Sequence, residues 1–124
     1  MERLRQRAEF VAVAAGARIG TPAFSLQGRT RDADTKTVPT ARIGFTVTKK
    51  TGNAVERNRI RRRLREMVKR VDDEALRRDG DYVLVARREA LHRSFDTLLT
   101  DFGTAAVRLN RQISKRMVTT DKPA

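Results

Sequence analysis

Between residues 95 and 113 apolar side chains recur at i, i+3, i+4 and i+7: Phe95, Leu98, Leu99, Phe102, Ala106, Leu109 and Ile113. At 3.6 residues per turn they share one face, so the segment reads as a helix with a single buried stripe, with Ser94 a suitable N-cap. Such a helix needs an apolar surface to lie on, and strand-like segments upstream supply it. ARIGFTVTKK alternates, with Ile43, Phe45 and Val47 on one face and Arg42, Thr46 and Thr48 on the other. After the turn signal Asp79-Gly80, the run Tyr82-Val83-Leu84-Val85 is rich in strand formers. TPAFSLQGRTR reads as a strand with Phe24 and Leu26 on one face. RLRQRAEFVAVAAGA reads as a short helix, with Leu4, Phe10, Val13 and Ala14 on its buried stripe and Gly16 as its stop. RDADTKTVPT, which carries Pro39, is expected to be a loop, and VTTDKPA a frayed tail.

These elements, with the helix described next, run α-β-β-α-β-α. They define an α+β class: a small central, mostly antiparallel sheet with helices packed on it. The 124 residues are expected to form one domain over 1–124, with an ordered core of about 4–114 and a flexible tail at 115–124.

The remaining helix carries most of the charge. Residues 49–70 hold ten Lys or Arg and only two acidic residues, Glu56 and Glu66, within a chain of net charge +13. Like charge at this density repels itself, and it is expected where a polyanion supplies the missing negative charge. The segment is also built to be helical. Gly52 suits a tight strand-to-helix turn, and Asn53 with Glu56 three residues on resembles a capping box. At 100° per residue Ile60, Leu64, Met67 and Val71 form an apolar arc with Val68 at its margin. Asn58, Arg62, Arg65 and Lys69 form one polar stripe, and Arg59, Arg63, Glu66 and Arg70 another.

A merely solvated face would place opposite charges four residues apart, whereas here Arg57, Arg61 and Arg65 stack on one another. Phosphates between guanidinium forks tolerate that stacking. A nuclear-import signal or heparin patch would account for the charge but not for the arc and the cap. A strand precedes the basic helix where a helix-turn-helix reader of duplex DNA would need a partner helix, which favours a shape-reading RNA binder.

The string KKTGNAVERNRIRRRLRE closely resembles the signature of the bacterial ribonuclease P protein family. The match runs in unbroken spacing through Lys49-Lys50, Gly52-Asn53-Ala54-Val55 and Arg57-Asn58-Arg59, then basic residues at 61, 62 and 65. Phe10 falls where the family places an aromatic on its first helix, and DYVLVARR resembles its strand after the basic helix. The resemblance covers roughly residues 4–110. It implies an α+β domain in which the basic helix joins two parallel strands by a left-handed βαβ crossover, against the usual right-handed rule. It also implies a protein subunit that binds a catalytic RNA and the 5′ leader of precursor tRNA. That complex would remove the leader in an Mg²⁺-dependent step, with the metal held mainly by RNA. By resemblance the RNA-facing set is Lys49, Lys50, Asn53, Arg57, Asn58, Arg59, Arg61, Arg62 and Arg65, and Phe10 and Phe24 are candidates for a leader-binding cleft. The chain departs from the family where Ala14 and Gln27 stand in place of aromatics.

An intrinsic nuclease centre is not expected. His92 is the only histidine and sits alone in ALHRSF. Asp72-Asp73-Glu74 reads as the start of a helical turn, and Asp79 and Asp81 flank a turn glycine. With no cysteine there are no thiolate ligands or nucleophiles. The expected partners are the ribonuclease P RNA and precursor tRNA, with no membrane and no required protein partner, in the cytoplasm; no apolar run approaches the ~20 residues of a membrane span. A general RNA-binding protein with no part in cleavage is the competing reading, and an autonomous nuclease a third.

Overall fold

A computed structural model describes residues 2–31, 40–71 and 73–121. Among them one five-stranded sheet has the order β1-β4-β5-β3-β2. The strands are β1 (Glu2–Arg3), β2 (Ala17–Gly20), β3 (Phe24–Thr30), β4 (Arg42–Thr46) and β5 (Gly80–Ala86). The helices are α1 (Arg7–Ala14), α2 (Ala54–Arg70) and α3 (Phe95–Asp121). Antiparallel pairing dominates by length, β2 with β3 and β3 with β5. The short β1 lies parallel to β4, and β4 lies parallel to β5 in the register Arg42↔Asp81 to Thr46↔Val85. α2 is therefore the crossover between two adjacent parallel strands, the unit to which the resemblance assigns its left-handed turn.

The two-residue period of the strands divides the sheet into two faces. Phe24, Leu26, Ile43, Tyr82 and Leu84 join α2 (Ile60, Leu64, Met67) and α3 (Leu98, Phe102, Leu109) in the main core. Val83 packs on the opposite face with Leu4 and Val13, flanked by the half-buried Phe10 and Val85. α1 covers that face, and Phe10 presses so close to the strand that a Cβ on Gly44 would sit 2.5 Å from its ring. Only glycine at 44 admits the ring.

Two buried polar groups lock these layers. Asp81 is fully buried, and its carboxylate accepts from Arg31 Nη1 at 2.8 Å and from Arg42 Nε and Nη2 at 2.8 and 2.7 Å. Arg42 also pairs with Glu9 of α1, which ties that helix to the sheet. Burial pushes the Asp81 carboxyl up, but the bonds from Arg42 and Arg31 outweigh it and hold the group below its ordinary range. Tyr82 donates its hydroxyl hydrogen to Asn110 Oδ1 at 2.7 Å and accepts the Arg77 N–H at 3.0 Å. Asn110 in turn donates to the Ala75 carbonyl at 2.9 Å, which seats α3 on the segment between α2 and β5.

The structure amends the expected elements in four places. The N-terminal helix starts at Arg7, and Leu4 reaches the core from an extended segment whose N–H donates to the Ile43 carbonyl at 3.0 Å. Ala14 is exposed and not on the buried stripe, because the eight-residue helix turns only Val13 fully inward. The short edge strands β1 and β2 are additional to the expected elements, and Ala17, just past the expected helix stop at Gly16, begins β2. α3 runs to Asp121, past the anticipated end of the ordered core near 114, and is capped by Ser94 Oγ, which accepts the Thr97 N–H at 3.2 Å. Most of the expected loop at 31–40 and the last three residues lie outside the described residues.

Candidate nucleic-acid interface

α2 starts where the sequence places its cap. Asn53 Oδ1 accepts the Glu56 N–H at 2.9 Å, and Glu56 Oε1 accepts the Asn53 N–H at 3.0 Å. Four orphan N–H groups open any helix, and this box satisfies two of them while fixing the chain's entry to it. The apolar arc then anchors the helix: Ile60, Leu64 and Met67 are each 0% exposed, while Val68 and Val71 pack at the margin of the core. With the keel buried, the remaining faces of a very basic helix are held outward.

Asn58, Arg61, Arg62, Arg65, Glu66 and Lys69 line an open groove of about 750 Å³ along this helix. Asn58 Oδ1 accepts from Arg61 Nη1 at 3.1 Å, so the asparagine between two arginines orients a third. Lys49 and Lys50 are exposed on a short 3-10 turn (Lys49–Thr51) just before α2. Arg59 is exposed outside the groove, and Arg57 is half-buried with a shielded Nε that has no hydrogen-bond partner among the described residues. Asn53 has its side-chain oxygen committed to the cap. Of the nine residues expected to face RNA, the structure thus gathers Asn58, Arg61, Arg62 and Arg65 into one groove, with the two lysines, Asn53, Arg57 and Arg59 on neighbouring surface or in support.

Two sequence expectations change. Phe24 is 0% exposed and packs against Phe102, ring centroids 6.3 Å apart, on the sheet face away from α1. It cannot line a cleft beside α1, because strand alternation turns it toward α3; Phe10, half-buried on the α1 face, is the candidate that stays. Arg63, expected on the outward stripe, instead reaches the segment between β5 and α3. Its Nη1 donates to the Ala90 and Leu91 carbonyls, both at 2.8 Å, and its Nη2 donates to the Arg93 carbonyl. Burial, and then the charge of Arg59, lower its pKa. Bonds spanning about thirty residues leave no trace in local spacing.

The acidic groups are largely taken up by arginines. Arg77 pairs with Asp79, Arg93 with Asp101, Arg88 with Glu56, and Arg70 with Glu66. Asp73–Ala75 forms a 3-10 turn, and Asp72 lies outside the described residues. His92 is exposed at the end of the turn Arg88–Leu91. Among the described residues no group of three or more His, Cys, Asp or Glu is placed to hold a metal ion, and no helix is long and apolar enough to cross a membrane.

Fold and site define a class: a small α+β protein that carries one capped, keeled, strongly basic helix on its surface. A family model described as Ribonuclease P matches residues 1–110. The chain is 46% identical over 103 residues to the ribonuclease P protein component of Bartonella quintana, covering 82% of this chain and 77% of that one. It is 48% identical over 100 residues to that of Gluconacetobacter diazotrophicus, covering 80% and 83%. The fold matches the Staphylococcus aureus RNase P protein with a TM-score of 0.69 at 23% identity, over 91% of this chain and 98% of that one. It matches the Thermotoga maritima protein at 0.65 and 24%, over 90% and 97%. The chain belongs to the ribonuclease P protein family, and so to an endoribonuclease complex of tRNA processing.

Proposed function

We propose that this chain is the protein subunit of ribonuclease P. It binds the catalytic RNA through the basic face of α2 and holds the 5′ leader of precursor tRNA along the sheet face that carries α1, with Phe10 at its edge. The observation that carries the reading is the groove of Asn58, Arg61, Arg62 and Arg65, held outward by a fully buried keel in a chain of this family. Guanidinium forks in that row suit backbone phosphates, and binding of this kind releases counterions and weakens with salt.

In this reading the chemistry lies in the RNA, and Mg²⁺ is held mainly there, with none intrinsic to the protein. The chain's carboxylates fit that division of labour: Asp81, Asp79, Asp101 and Glu56 are each engaged by arginine and are poor candidates for cation ligands. The protein supplies charge and position, lowering the Mg²⁺ the complex needs, and works in the cytoplasm with RNA as its required partner. Reconstitution tests this. Added to its cognate RNA subunit at low Mg²⁺, the protein should raise cleavage of precursor tRNA. No increase would point to a general RNA-binding protein instead, and cleavage by RNA-free protein alone to a nuclease.

A further inference from the structure

Glu56 puts a negative charge on the surface assigned to RNA, and its carboxylate does two things at once. Oε1 accepts the Asn53 N–H at 3.0 Å, while Oε2 accepts from Arg88 Nη2 at 2.7 Å. Arg88 lies just past the end of β5, and its Nη1 also donates to the Thr51 carbonyl at 3.2 Å. Thr51 closes the turn that carries Lys49 and Lys50, and it is buried at 5% exposure. One guanidinium therefore joins the lysine turn, the first turn of α2 and the exit of β5. Gly52 makes the room: a Cβ there would lie 2.8 Å from Glu56 Oε1 and 3.0 Å from Arg88 Nη1. The bond from Arg88, and then that from the Asn53 N–H, hold the Glu56 carboxyl below its ordinary range.

We propose that Glu56 and Arg88 are positioning residues for the RNA interface, a clamp that sets Lys49 and Lys50 in register with the basic groove of α2 so that both meet one RNA surface. The proposal rests on the reading of α2 as the RNA-binding element.

Electrostatics alone predicts the opposite sign. Removing a negative charge from a basic face should tighten binding of a polyanion. Glu56→Gln separates the two accounts. A glutamine can still cap, since it serves at this capping-box position. Glutamine replaces one of the two carboxylate oxygens by an NH₂: with its oxygen on the Asn53 N–H, the NH₂ faces the Arg88 Nη2 donor to donor and the charge is gone, so the cap persists and the clamp opens.

The affinity of Glu56→Gln for the ribonuclease P RNA subunit, measured by titration at fixed salt, should fall about two- to fivefold, the scale of a largely exposed ion pair. Its thermal midpoint should stay within about 4 °C of wild type, the most that the loss of one exposed ion pair accounts for. Arg88→Ala should weaken binding by a similar factor, Arg88→Lys should recover part of it, and the double variant should bind no worse than the weaker single, because both remove one device. Unchanged or tighter binding by Glu56→Gln overturns the proposal, and so do additive losses in the double variant, which would mean that Arg88 meets RNA by itself. Wild type and Arg62→Ala are titrated alongside. If wild type does not bind, or Arg62→Ala binds as well as wild type, the RNA interface itself is wrong; if these controls behave and Glu56→Gln is not weakened, only the clamp is.

Discussion

Leu64 and Arg62 lie two residues apart on α2, and the structure gives them separate duties. Leu64 is 0% exposed in the main core, between Ile60 and Met67 on the keel, whereas Arg62 is exposed and lines the groove. Leu64→Ala removes three carbons from a closely packed site, and deletions of that kind cost ~2–5 kcal/mol. For 124 residues unfolding entropy scales to roughly 0.26 kcal/mol per kelvin, so the thermal midpoint should drop by about 8–20 °C. Arg62→Ala touches no packing and should stay within ~0.5 kcal/mol of wild type. On RNA the order reverses. Arg62→Ala leaves one phosphate without its cation and should reduce the slope of log K against log salt by ~1, while Leu64→Ala measured well below its midpoint should keep the wild-type slope. Calorimetry and a salt series of RNA titrations read both quantities. A stable Leu64→Ala, or an Arg62→Ala that melts early and keeps its salt slope, would refute the division of α2 into keel and binding flank.

Other outcomes follow from the polar locks. Asp81→Asn leaves Arg31 and Arg42 without their shared countercharge and should cost about 3 kcal/mol in denaturant unfolding. Because the folded pKa of Asp81 is depressed, its contribution is present above the ordinary 3.8 and fades as pH falls through the lower folded value, so the variant should lose its deficit in strong acid. Tyr82 is the only tyrosine, and burial pushes it up to about 12, so tyrosinate absorbance should rise near pH 12 rather than 10; its stabilising share is intact below 10 and lost as pH climbs through that range. Arg63→Ala should destabilise the fold by about 2–3 kcal/mol without changing the RNA salt slope, and Arg63→Lys should not restore it, since one ammonium cannot reproduce a fork shared among three carbonyls.

What could be read from the sequence was local. The Asn53–Glu56 cap, the keel at 60, 64 and 67, and the stripe of α3 all depend on spacings of three or four residues that helical geometry fixes. The shared face of Phe24 and Leu26 depends on a spacing of two, and it holds. Which layer that face looks at is another matter. Alternation groups side chains but does not say whether α1 or α3 covers them, so it leaves Phe24 a cleft candidate when the residue belongs to the core. β1 and β2 have two and four residues, too few to show a period, and their pairing is settled by the partners β4 and β3. Arg63, Arg88 and Arg42 find their partners 27 to 39 residues away, through the crossover of α2 and the register of β4 on β5. Those pairs commit three basic side chains to holding the fold in shape.

That the outward face of α2 meets the RNA can be tested without inference from affinity. The chain has no cysteine, so a single one can carry a tethered hydroxyl-radical source. Val55, on the first turn of α2, is 79% exposed, and Val107, on α3, is 53% exposed, so both accept a probe without disturbing the core. In the complex with ribonuclease P RNA, the probe at Val55→Cys should cut the RNA strand at discrete positions, and the probe at Val107→Cys should leave it intact. Cuts from α3 with none from α2 would contradict the assignment of α2 as the RNA-binding element.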